Sequence, residues 1–209
     1  RNPLSHSFPV RDSNRDFRMM NKRADMNHKH ITDHLEKLLA VPGASGFESP
    51  VRAYLQELWD PLVDEIQVSP LGSLHGLLKG HGPSPRPQIL FAAHMDTIGL
   101  MVSEIVGGFI RVTSLGGVDA RALPGQTVRI HGEQELTGVI YQPPKSHLPS
   151  SASSQKVQVK YLLIDTGLDE GELRDVVHIG APVTFRQPPV RMGEHVLAGP
   201  QLDNRVSLA

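Results

Sequence analysis

Cysteine is absent from all 209 residues. That removes disulfides, thiolate zinc sites, iron–sulfur clusters and a cysteine nucleophile, so any metal site has to be built from His, Asp and Glu. Charge of one sign is missing too. Lys+Arg 21 against Asp+Glu 22 leaves a net charge of −1, too little to draw nucleic acid or an anionic membrane by electrostatics. No apolar run approaches the roughly 18 residues that span a bilayer, and the opening Arg1-Asn2-Pro3-Leu4-Ser5-His6 lacks the charged-then-apolar order of a signal peptide. The sequence reads as a soluble, cytoplasmic protein. A Gly-X-Ser-X-Gly elbow is lacking as well, which removes the usual serine-hydrolase signature. What is present is 39 % hydrophobic residues, 19 Gly, 17 Pro and 11 His. This is enough apolar material for a core and enough imidazole for a metal site.

Residues 1–27 are polar, without an apolar period, and read as a disordered or non-native tail. Met26 is a reasonable true start. Thr32 as N-cap, Leu35, Leu38 and Leu39 on one face, and the Pro42-Gly43 stop predict a first helix. Ser49 as N-cap, Pro50 at the first helical position, and Val51, Tyr54, Leu55 and Leu58 at i, i+3, i+4, i+7 predict a second. Two strands, Leu62–Val68 and Leu74–Lys79, flank a Ser69-Pro70-Leu71-Gly72 turn, and residues 80–87 form a Gly/Pro loop. Gln88-Ile89-Leu90-Phe91-Ala92-Ala93 shows no alternation, as expected of a central strand covered on both faces in an α/β sheet.

From about Ile98 the texture changes. Runs at Met101–Val106, Phe109–Ser114, Gln126–Ile130, Leu136–Tyr141, Val157–Ile164 and Val183–Arg186, separated by Gly, Pro or Ser turns, predict a small barrel or sandwich inserted into the α/β domain. Gly107-Gly108 is a hairpin signal, and Pro149–Gln155 is a Ser-rich loop.

Two places could carry chemistry. In Ala93-His94-Met95-Asp96, at the C-terminal end of the expected strand, positions i and i+2 share a face. His94 could ligate a divalent metal while Asp96 orients its imidazole, although on spacing alone a surface His beside a strand-ending Asp is the commoner explanation, since a His-X-Asp triplet arises readily by chance among eleven histidines. In Gln201-Leu202-Asp203-Asn204-Arg205, Asp203 could bridge two metal ions or simply cap a helix. Pro42-Gly43-Ala44-Ser45-Gly46-Phe47-Glu48 lacks the ending of a P-loop and reads as a structural turn. His75, His81, His131, His147, His178 and His195 have no ligand-like spacing and read as exposed loop residues.

In their order along the chain these segments resemble the glutamyl/tetrahedral (deblocking) aminopeptidase family, cytosolic co-catalytic metallopeptidases that include endoglucanase-like proteins. The matching residues are Pro42 to Glu48 and on to Arg52, Ile89 to Gly99, Gly108-Phe109 to Val118, Leu123 to Val128, Leu163-Ile164-Asp165-Thr166-Gly167 and Leu202-Asp203-Asn204-Arg205-Val206. The resemblance implies an α/β metallopeptidase domain with a buried mixed sheet, here incomplete at its C-terminus, over residues 28–97 and 192–209, and an inserted β-barrel dimerisation domain over 98–191. It implies two divalent ions per complete site, zinc or cobalt, with manganese as a third option. By matched position His94 would be a metal ligand, Asp96 a catalytic residue orienting it, and Asp203 the bridging metal ligand. The implied activity releases N-terminal residues from peptides through a water activated between the ions, with a glutamate shuttling its proton. The implied partners are peptide substrates and further copies of the chain, as a dimer and up to a dodecamer, with no nucleic acid and no membrane.

The sequence also departs from the family. The Glu-Glu pair, later Asp and later His that complete the site follow Asp203 in the family order and are not in this chain, which reads as incomplete at both ends. Smaller departures are Ser73 for Asn, Thr97 for an acidic residue, Lys145-Ser146 within Pro-Pro-His, and Ser207 for Gly. Two expectations follow: the N-terminal part of a dinuclear aminopeptidase, inactive alone, or a short non-catalytic paralogue whose barrel is a dimerisation scaffold.

Overall fold

The computed structural model describes residues 31–148, 157–194 and 196–209, and of Lys145 the backbone only. The polar tail, the Ser-rich loop and His195 lie outside the described residues. The described residues open with α1 over residues 31–40, where Leu35, Leu38 and Leu39 are buried as their spacing predicts. Thr32 is already helical, so it is not the cap. The second helix, α2 (Ser49–Trp59), has Glu48 as N-cap and Pro50 near its start. Ser49 is therefore the first helical residue rather than the cap, and its hydroxyl instead accepts a hydrogen bond from Arg52, 3.2 Å away. Val51 and Leu55 are fully buried on its inner face, one turn apart as an amphipathic helix requires.

A 3₁₀ turn (Asp60–Leu62) leads into the hairpin of β1 (Glu65–Val68) and β2 (Leu74–Leu77), paired from Glu65↔Leu77 to Val68↔Leu74. Leu38, Val51, Leu55 and Leu74 make a small buried core against which Trp59, Met95 and Leu208 pack.

The run expected to be a central strand is not one. Residues 88–96 have no strand partner among the described residues, and Ile89, Leu90 and Phe91 are 80 %, 89 % and 90 % exposed. Its composition suits a strand covered on both faces, but the β1–β2 hairpin is a separate two-stranded sheet and gives the run neither a ladder nor a cover.

Six strands close into an antiparallel barrel in the order β3-β4-β7-β6-β5-β8: β3 (Gly99–Val106), β4 (Phe109–Leu115), β5 (Thr127–His131), β6 (Glu135–Tyr141), β7 (Leu163–Asp165) and β8 (Pro182–Phe185). Period-2 alternation explains it: Ile110 and Val112, Val128 and Ile130, and Ile140 and Ile164 point inward and are buried, with more exposed residues between them. The chain turns from β3 to β4 through Gly107 and Gly108 at φ 58° and 80°, the two positive values that a two-residue hairpin turn needs. In β6 a Cβ on Gly138 would sit 2.4 Å from the Ile164 side chain, so only glycine lets β7 fill the interior there. Of the expected strand Val157–Ile164 only the last residues lie in β7, preceded by a 3₁₀ turn (Val159–Tyr161).

Two elements lie outside the expected pattern. One is α3 (Glu170–Val176), closed by a reciprocal capping box between Asp169 and Glu172, whose Leu173 is buried in the barrel core. The other is a hairpin of β9 (Val190–Met192) and β10 (Val196–Ala198), which reaches back to α1 where Arg191 pairs with Glu36 at 2.6 Å. The chain then enters α4 (Leu202–Arg205).

Candidate metal centre

The turn over residues 42–48 and the stretch 94–97 are stitched together. Ala44 and Thr97 form an isolated parallel bridge, Thr97 N donates to Gly43 O at 2.9 Å and Ser45 N to Thr97 O at 3.2 Å, and the Thr97 hydroxyl donates to Gly43 O at 3.2 Å. Met95 packs into the helical core, so His94 and Asp96 face the other way, as the i, i+2 spacing predicts. The Ser45 hydroxyl donates a short hydrogen bond to one oxygen of Asp96. The sequence offered the turn as structural, and so it is, but the hand it lends to Asp96 through Ser45 was not visible there.

His94 stands between two carboxylates. Its Nδ1 is 3.1 Å from Asp96 Oδ1 and 3.1 Å from the Asp96 carbonyl, and its Nε2 is 3.2 Å from Asp203 Oδ1. Burial, the largest single influence, pushes the imidazole down, but the Asp96 carbonyl, the Asp203 carboxylate and the two negative charges outweigh it and raise the pKa above the ordinary value. Asp203 reaches His94 from the far end of the chain. Its side chain is 96 % exposed, in a short helix where Asp203 and Asn204 depart from helical φ/ψ. The N-cap of α4 is Gln201, at φ 72°, so capping is not what Asp203 does.

Arg205 is the residue near the site that the sequence did not single out. It is fully buried, and its Nη1 donates short hydrogen bonds to the carbonyls of Leu38 and Val41 at the end of α1. Burial pulls its pKa down to about 10, against the pull of Asp96. Its neighbour Gly43 is bare for a reason: a Cβ there would lie 2.5 Å from Nη2.

The remaining histidines behave differently from His94. His75, His81, His147 and His178 are exposed. His131 is not a loop residue: it closes β5, half-buried, with Nε2 2.8 Å from the Thr184 hydroxyl. It lines a cleft of about 240 Å³ with Phe47, Pro50, Pro182 and Thr184, between the turn and the barrel. Among the described residues no group of three or more His, Asp or Glu side chains gathers as a metal cage would. The residues present nevertheless fit part of one. An imidazole nitrogen and a carboxylate oxygen converge on one point, and a second carboxylate braces the imidazole from behind, which is how a metal-ligating histidine is usually held.

A family model for M42 glutamyl aminopeptidase matches residues 72–209. The chain is 33 % identical over 181 residues to a lysyl aminopeptidase of Pyrococcus furiosus, covering 83 % of this chain and 51 % of that protein. Among solved structures, a TET aminopeptidase from a marine-sediment Thaumarchaeota archaeon superposes with a TM-score of 0.77 at 31 % identity, covering 87 % of this chain and 51 % of that one. A TET1 peptidase of Pyrococcus horikoshii, described as able to assemble into a tetrahedron or a large octahedral shell, follows with a TM-score of 0.72 at 28 % identity over 85 % and 53 %. The fold is therefore the α/β-plus-barrel architecture of a metallopeptidase class. The chain belongs to the M42 glutamyl aminopeptidase family, and it spans about half the length of the relatives it matches.

Proposed function

We propose that this chain supplies one half of the dinuclear centre of an aminopeptidase, with His94 as a metal ligand, Asp203 as the bridging ligand and Asp96 as the residue that orients His94. The observation that carries the reading is the position of His94, with a carboxylate on each ring nitrogen at 3.1 Å and 3.2 Å. A proton at Nε2 there occupies the place between imidazole and carboxylate that a divalent cation would take, so metal binding displaces that proton. Asp96 keeps the Nδ1 proton and leaves Nε2 free to donate its lone pair, while Ser45 and Thr97 keep Asp96 in place. His94 and Asp203 would hold divalent ions that would polarise a peptide carbonyl and acidify a water, zinc or cobalt by the family resemblance, with manganese third.

In this reading residues 28–97 and 192–209 belong to the metallopeptidase part and 98–191 to an inserted barrel, the seam falling within the β9–β10 hairpin. The substrate is the N-terminal residue of a peptide, and the barrel brings copies of the chain together as a dimer and up to a dodecamer; that a TET1 relative is described as assembling into a tetrahedron or a large octahedral shell supports self-association. The protein works in the cytoplasm. Two ligands without a general base do not make a working site, so the 209-residue chain binds metal weakly and releases no N-terminal residue.

Zinc titration calorimetry of the chain and of H94A and D203A tests this, with an aminoacyl chromogenic substrate assayed alongside. Weak binding that both variants lose, and no turnover, is expected. Tight uptake of two ions per chain would overturn the half-site reading, and equal binding by wild type and H94A would remove His94 as a ligand.

A further inference from the structure

We propose that Arg205 is a positioning residue: its buried guanidinium fixes Asp203 opposite His94 by locking the chain end to the tail of α1 and to the turn that braces Asp96. The inference rests on the reading of His94 and Asp203 as a metal-binding pair, and deepens it.

Asp203 needs such a lock. Its side chain is almost wholly in solvent, and the backbone hydrogen bonds of its own segment are local, Val206 to Leu202, Ser207 to Asn204 and Leu208 to Arg205. Those bonds shape the turn but do not tie it to His94. Leu208 packs on the helical core, and Arg205 is the fully buried residue of the segment, reaching past that core to the other half of the site. Its Nη1 caps the Leu38 and Val41 carbonyls, a favourable place for a cation at a helix C-terminus. Its Nη2 lies where a Cβ on Gly43 would have to go. Gly43 in turn holds Thr97 through its carbonyl, and Thr97 follows Asp96 directly. One side chain therefore sets the spacing between the Asp203 arm and the His94–Asp96 arm.

The burial of this charge is otherwise hard to explain. A helix cap can be made by an exposed lysine, yet here the guanidinium is withdrawn from water and its Nε and Nη2 have no hydrogen-bond partner among the described residues. Burying a partly satisfied charge is costly, and what this one secures is the fixed separation of two arms that meet at His94. Lysine could offer one ammonium to the two carbonyls that Nη1 reaches, but it lacks the second, coplanar nitrogen that rests against Gly43.

The test uses the 209-residue chain with R205K and G43A, the second of which displaces the guanidinium without deleting it, while its methyl also presses on Val51. L55V, which loosens the same core away from Arg205, serves as the comparison. Two readouts are taken: the long-range ¹⁵N–¹H imidazole spectrum of the zinc-free chain, in which the His94 Nε2 signal reports Asp203, and zinc titration calorimetry. R205K and G43A should each lose the hydrogen-bonded His94 Nε2 signature and weaken zinc association about tenfold, the low end of what supporting residues contribute to metal sites. L55V should lower the melting temperature while leaving both readouts unchanged. An unaltered His94 signature in R205K and G43A would overturn the proposal, as would an equal loss in L55V. If the signature changes in both variants but zinc binds none of the proteins, Arg205 keeps its positioning role and the metal reading fails instead.

Discussion

His131 carries the second imidazole that its surroundings perturb, in the opposite sense to His94. Burial, the dominant influence, pushes it below its ordinary value, Glu135 pulls it back up and Arg129 pushes it further down. A group depressed in the folded state binds its proton more readily when unfolded. Its contribution to stability is therefore complete above the unfolded value of about 6.5 and is lost as pH falls from there through the folded value. Thermal melts of wild type and H131N at pH 7.5 and pH 5.5 should show wild type losing more stability on acidification than the variant, whose amide can still bond Thr184. Equal losses would mean that the half-buried position costs the imidazolium nothing. Of the two perturbed histidines the sequence pointed to one. His94 announced itself by the i, i+2 carboxylate, a signal that survives without knowing the fold. His131 sits in a strand whose alternation says which residues point inward, but nothing local says that the 42–50 turn folds over that strand's end. Arg205 was hidden for the same reason: its partners are carbonyls 167 and 164 residues away.

The exposed run Ile89-Leu90-Phe91 is the element where composition and structure part. Periodicity reports the environment a segment is suited to, and this one is suited to two covered faces, whereas the described chain supplies none. Three large apolar side chains in succession at 80–90 % exposure form the kind of patch that favours association between molecules. L90S/F91S should stay monomeric at concentrations where wild type self-associates through this run, with an unchanged melting temperature, as checked by sedimentation velocity and thermal melts. A drop in melting temperature would show that the run is packed in solution. The barrel strands were legible because each reports its own alternation and its turns carry glycine where φ must be positive. The short α3 was less so: Asp169-Glu170-Gly171-Glu172 spells a capping box, but seven residues with a glycine inside carry too little period to stand out.

Across the whole molecule the two cores are unequal. The barrel closes on itself, leaves no free sheet edge, and buries a continuous aliphatic core plugged by Leu173 of α3. The helical part has four buried residues at its centre, Leu38, Val51, Leu55 and Leu74, and the apolar run that should extend it stands in solvent. The family that the motifs resemble is the family to which the chain belongs, and the chain spans about half of each relative. Local stability should follow this division, since opening free energies track buried apolar contact. In native-state hydrogen exchange, amides of β4, β5 and β6 should be the slowest and those of α1 and α2 markedly faster. Leu55→Ala, which costs about 2–5 kcal/mol at a fully buried site, should speed exchange in α1, α2 and β2 and leave the barrel amides unchanged. Uniform acceleration in both parts would mean that the Ala44–Thr97 bridge and the Arg205 lock weld the two cores into one cooperative unit. The pair His94 and Asp203 would then be held at the stability of the barrel, although both residues lie outside it.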